Sequence, residues 1–120
     1  MSLEVQISQV GHQLIIKAAG QYSLTGLRAL IDRVKEEGEK RGQGRVILDV
    51  TEVVGTVPVV DLHVLGEYVS RCWKEPFKAA IISPEGGLNK FFEYVARERA
   101  AQIAVVPNRP AAIEWIEWVG

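Results

Sequence analysis

Apolar and polar residues alternate at the start of the chain, where Leu3, Val5 and Ile7 are separated by Glu4 and Gln6. A period of two predicts a half-buried strand. Leu14-Ile15-Ile16 follows a Val10-Gly11-His12-Gln13 turn signal, so the first two strands form a hairpin. The period then changes. Ser23 precedes Leu24, Leu27, Leu30, Ile31 and Val34, while Arg28, Asp32, Arg33, Lys35, Glu36 and Glu37 fall on the opposite side. That is a two-faced helix, closing near Gly38 to Gly42.

Val46-Ile47-Leu48-Asp49-Val50 is an apolar run suited to the centre of a parallel sheet. Thr51 to Pro58 is the least regular stretch and is expected to be a loop. Leu62, Leu65, Val69 and Cys72 recur at helical spacing up to Trp73, with Pro58 fitting a first helical turn. Phe77 to Ile82 predicts a strand, Ser83 to Gly87 a loop, and Leu88, Phe91, Phe92, Val95 and Ala96 an amphipathic helix over 88–99. Gln102 to Val106 predicts the last strand. Ala112, Ile113, Ile116 and Val119 line a short terminal helix.

The resulting order is β-β-α-β-α-β-α-β-α. Strands alternating with helices imply right-handed crossovers, hence an α/β fold with a mixed, mostly parallel sheet flanked by helices. No repeat or linker divides the chain, so 1–120 reads as one domain. In such sheets ligands and partners meet the loops at the carboxyl ends of the strands, here residues 51–58, 83–87 and 107–110.

Charge narrows the function. Fourteen basic side chains against fifteen acidic ones provide no basic face for nucleic acid or an anionic membrane. No apolar run approaches the ~20 residues of a membrane span. One cysteine excludes an internal disulfide, and Met1-Ser2-Leu3-Glu4 carries no leader, so the expected location is the cytoplasm.

Candidate chemistry is sparse. His12 lies in the hairpin turn, and His63 stands two residues from Asp61 on a helix, a spacing that points the two side chains apart. Cys72 falls on the apolar stripe with Leu65 and Val69, where burial raises a thiol pKa. Two distant histidines and one cysteine make no metal set. An enzyme would have to use Ser83 or Cys72, and neither has a base at a recognisable spacing. No catalytic residue, cofactor or metal is therefore expected. Gly42-Gln43-Gly44 precedes a strand, the wrong side for a dinucleotide fingerprint. Gly86-Gly87 is better placed for an anion, yet Glu85 beside it favours a plain helix cap. Trp115 is assigned to the core, and Trp73 or Trp118 to an exposed patch. Thr56, just before a helix, is either an ordinary loop threonine or a phosphorylation site.

Arg45-Val-Ile-Leu-Asp49-Val-Thr51, the loop after it, and the helix from Leu62 to Cys72 resemble the STAS domain of anti-sigma-factor antagonists. Ala79 to Pro84, Phe91 to Arg97, and Ile103 to Val106 with Pro110 to Ile116 are similar to the divergent, small stand-alone bacterial STAS-like proteins. The resemblance implies a non-enzymatic regulator that docks a regulatory protein partner through loop 51–58 and the start of the next helix. The docking residues would be Thr56, Val57, Pro58 and Val59. The best-known members carry Asp-Ser-Ser-Gly at that helix start. This chain has Val57-Pro58-Val59-Val60 there, without a hydroxyl, so Thr56 is the nearest phosphorylatable residue.

A different class of function comes from the similar architecture of lipid-carrying CRAL-TRIO domains. It would place an apolar ligand between helix 88–99 and the sheet, lined by Phe91, Phe92 and Val95. Finally, the edge strand at Val5 to Ser8 has no proline and only Glu4 beside it as a charge, which suits a homodimer.

Overall fold

The computed structural model describes residues 3–118. Strand β1 (Glu4–Val10) turns through Gly11-His12 into β2 (Gln13–Gln21), and α1 (Leu24–Lys40) follows. Then come β3 (Arg45–Val54), α2 (Val59–Cys72), β4 (Lys78–Ile82), α3 (Lys90–Glu98), β5 (Gln102–Val106) and α4 (Arg109–Glu117). The sheet order is β1-β2-β3-β4-β5, with the first pair antiparallel and the rest parallel. The predicted order and sheet type are thus observed. Val119, placed on the last helix by its spacing, lies outside the described residues.

Two apolar layers sandwich the sheet. Alternate residues of the strands, among them Leu14, Ile16, Leu48, Ile81 and Ile103, pack under Leu27, Ile31, Leu65 and Phe92 of α1, α2 and α3. The intervening residues Ile15, Ile47, Ala80 and Ile82 meet Ala112 and Ile116 of α4 on the opposite face. The central strands therefore carry apolar residues at consecutive positions, because both faces exclude water.

Side chains set the helix ends. Ser23 accepts from the Gly26 N–H (3.0 Å), Asn89 from the Phe91 and Phe92 N–H groups (3.0 and 3.2 Å), and Asn108 from the Ala111 N–H (2.9 Å). Each satisfies amides that the first turn leaves without partners. The α3 cap is thus Asn89, not Gly86-Gly87, and α3 begins at Lys90.

Four expectations need correction. Residues 51–54 are strand, because a one-residue bulge lets β3 continue: Lys17 pairs with Asp49, but Ala19 pairs with Glu52. The Asp49 carboxylate accepts from the Thr51 N–H (2.9 Å) and hydroxyl (2.7 Å), which occupies polar groups at the bulge. The loop is therefore confined to 55–58. Pro58 caps α2 in an extended conformation and does not enter its first turn. Trp73 is no patch residue, being 1% exposed with its indole N–H donating to the Ile31 carbonyl (3.1 Å). Trp115 is only half-buried, under the Lys78 ammonium, which stands 4.7 Å from its ring centre. Trp118 is the exposed tryptophan, at 67%.

Candidate functional site

The carboxyl ends of the parallel strands bring together residues 22–23, 55–58, 83–89 and 107–108. Two hydrogen bonds fix the second of these segments. Gly55 begins it with φ of 110°, a conformation that favours glycine, and a Cβ there would sit 2.9 Å from the Gln21 amide. The Val57 N–H then donates to the Gly86 carbonyl (2.9 Å), joining the segment to the loop after β4. From the other side the Tyr22 hydroxyl donates to Asp61 Oδ2 (2.7 Å), holding the first turn of α2 against the entry to α1. Partial burial, together with that neighbouring carboxylate, raises the Tyr22 phenol well above the usual tyrosine range, so it stays a donor.

The four predicted docking residues separate. Val57 points inward, 8% exposed and part of the core, so it does not face water as expected. The reason is its paired N–H: with the backbone satisfied, an apolar loop side chain can be buried without cost to a polar group. Thr56, Pro58 and Val59 are exposed. Val60 joins them; it and Val59 are each 70% exposed. His63 lies four residues after Val59, on the same helix face, and its ring centre is 6.5 Å from that of Phe91 on α3. Val59, His63 and Phe91 thus form a stripe running from the loop onto α3, with Val60 beside its upper end. Sequence reading found Val59 but missed the remainder. The missed signal was Val59-Val60 itself, two adjacent β-branched residues of which a helix start can bury at most one.

Behind this surface is a cavity of about 10 Å³ lined by Tyr22, Val50, Val57, Ser83 and Leu88 among others. It has room for at most one water. Ser83 Oγ is buried without a hydrogen-bond partner among the described residues. The larger pocket expected between α3 and the sheet is filled: Phe92 is fully buried, and Val95 packs against Gly66 of α2, where a Cβ would sit 2.8 Å from the Val95 Cβ. Phe91 faces outward.

The other candidates stay apart. His12 is exposed in the hairpin turn at the opposite end of the sheet, and His63 Nδ1 lies 3.4 Å from Glu67 Oε1. Cys72 is half-buried beside Asp32 (Sγ to Oδ1, 3.9 Å), and burial is the main cause that pushes its thiol up. Tyr68 donates to the same Asp32 oxygen (2.6 Å), and this bond is the main cause that raises its phenol to about 12. Among the described residues no three metal-ligating side chains converge, and no helix is long and apolar enough to cross a membrane.

Comparison with known proteins gives a fold. No family model matches the sequence, and no curated protein matches it. An anti-sigma factor antagonist from Mycobacterium paratuberculosis superposes with a TM-score of 0.65 at 9% identity, over 98% of this chain and 96% of the other. The chain has a STAS-like fold. An uncharacterised DUF3478-family protein with a SpoIIAA-like fold, from Shewanella loihica, superposes with a TM-score of 0.54 at 20% identity, over 96% of this chain and 93% of the other. The STAS-like sheet and its β-β-α-β-α-β-α-β-α order agree with the resemblance drawn from the residues.

Proposed function

We propose that this STAS-like protein is a non-enzymatic cytoplasmic regulator that binds a protein partner through the exposed start of α2. The observation that carries this reading is the stripe of Val59, His63 and Phe91, flanked by Val60 and Pro58, on a backbone held at both ends by hydrogen bonds. Adjacent exposed valines on a rigid helix start gain free energy when a partner removes them from water, and they lose little conformational entropy in doing so. One structural neighbour is an anti-sigma factor antagonist, which supports a regulatory protein as the partner class.

Thr56 stands at the rim of this surface. A phosphate there would add about two negative charges beside an apolar contact and would weaken docking. His63 in the stripe faces the Glu67 carboxylate (3.4 Å), and the stripe itself carries no hydroxyl or thiol nucleophile, which supports binding over catalysis.

Affinity capture from the native host compares the wild type with Val59→Asp and Val60→Asp, which leave the core untouched. A captured protein that is identified, purified and bound at least about tenfold more weakly by each folded variant, equivalent to 1.4 kcal/mol, supports the reading. Equal binding by the wild type and both variants refutes it.

A further inference from the structure

The two edges of the sheet are treated differently. On the outer edge of β5, Val105 has both of its backbone groups occupied by α3: its N–H donates to Glu93 Oε2 (2.7 Å) and its carbonyl accepts from Lys90 Nζ (2.8 Å). A strand approaching that edge finds the donor and acceptor near the end of β5 taken. At the other edge, β1 pairs only with β2, and among the described residues no hydrogen bond reaches its outer side. An edge of seven residues with no proline, bulge or inward charge is a template for another strand.

We propose that a second copy of this chain occupies the β1 edge, the two β1 strands pairing antiparallel about a two-fold axis at Gln6. The pattern of β1 selects this register. Centred on Gln6, Val5 of one protomer stands opposite Ile7 of its partner, and Glu4 opposite Ser8, so apolar residues meet on the helix-covered face and no like charges oppose. A shift of the centre to Ile7 would set Val5 against Gln9. Val5 and Ile7 are only half-buried in the single copy, where they border the core, and the pairing completes their cover.

The flanking groove agrees with the same occupant. Beside β1 it is lined by Leu3, Val5, Ala29 and Leu30, with Arg33 and Glu36 of α1 at its rim. A two-fold partner must be self-complementary, and a rim bearing one positive and one negative group meets its own copy in reverse order, Arg33 toward Glu36.

Sedimentation velocity of the purified wild-type chain from ~10 µM to ~1 mM, the range in which a small edge contact assembles, is expected to show a monomer passing to a dimer. Ile7→Lys is expected to remain monomeric. Register is read by cysteines in a Cys72→Ser background. Gln6→Cys faces its own copy with Cα atoms about 4.5–5.5 Å apart, within disulfide range, and links on mild oxidation. Ser8→Cys lies four residues off register, about 14 Å from its copy, and does not. Gln6 and Ser8 are exposed, so these two variants keep the fold whatever Ile7→Lys does. A wild type monomeric at ~1 mM overturns the proposal. Equal linking at both positions overturns it too, as does a β1 edge that takes up an unrelated chain while the purified protein stays monomeric.

Discussion

Tyr22 reaches across 39 positions of sequence to donate its hydroxyl to Asp61 at 2.7 Å. The bond joins the exit of β2 to the first turn of α2, the turn that carries the exposed valines. Tyr22→Phe removes the donor and leaves the carboxylate to water. The expected cost is about 1 kcal/mol in denaturant unfolding, with faster amide exchange at residues 57–62 and unchanged exchange in β4. Uniform exchange across the chain would show that the bond does not hold this corner.

Val57 and Val59 are two residues apart and face opposite environments. Val57→Asp places a charge in the core and is expected to cost about 3 kcal/mol or more, enough to unfold a marginal domain. Val59→Asp is expected to stay within about 0.5 kcal/mol of the wild type. Circular dichroism during thermal unfolding separates them, and a folded, stable Val57→Asp would contradict the inward orientation of that side chain.

Glu93 links stability to acid. Burial alone would raise its carboxyl, but the Val105 N–H and the Lys90 and Arg97 charges together hold it below the ordinary glutamate value. A carboxylate whose pKa is lower folded than unfolded contributes stability that is fully present above the unfolded pKa, about 4.3, and is lost as pH falls through the folded one. Urea midpoints measured from pH 6 to pH 3 are therefore expected to fall less steeply for Glu93→Gln than for the wild type. Parallel slopes would remove Glu93 from the account.

Gly66 of α2 packs tightly against α3. A Cβ there would lie 2.8 Å from the Val95 Cβ and 3.1 Å from the Phe92 carbonyl, so the helices must part to admit it. Gly66→Ala gains about 1 kcal/mol of helix propensity, yet the crowding is expected to outweigh it, for a net loss of about 1 kcal/mol. Paired with Val95→Ala, which frees the same space, the second change is expected to cost less than it does alone, a coupling that a double-mutant cycle measures.

The strand and helix order is legible because one alternating strand and several short unbroken apolar runs are separated by stripes of period 3.6 between Leu3 and Ile116. That reading stops short at Thr51, since Thr51-Glu52 interrupts the apolar run and the bulge that carries β3 onward depends on the Asp49 side chain meeting the Thr51 amide. Trp73 was misplaced for a similar reason: its indole N–H is satisfied by Ile31, 42 residues away, a partner no local pattern contains. At the candidate site, composition alone marks Val57-Pro58-Val59-Val60 as apolar. Which of them turns inward depends on the Gly86 carbonyl that pairs the Val57 N–H, and that contact is made only by the folded sheet. The cap at Asn108 is legible as an asparagine before its helical stripe, whereas Asn89 is masked because Leu88 before it extends the apolar stripe and Gly86-Gly87 offers a competing stop.

The pair of α3 side chains on Val105 limits how large any assembly of this sheet can grow. A chain with two receptive edges can add copies end to end without limit, which is the route to fibres. Here the β5 edge is obstructed at Val105 by its own helix, so pairing of two β1 edges, as proposed, would end at ten continuous strands, five from each copy. Removing those two side chains from Val105, and not strengthening any contact, is the change that would open such a pair to further growth.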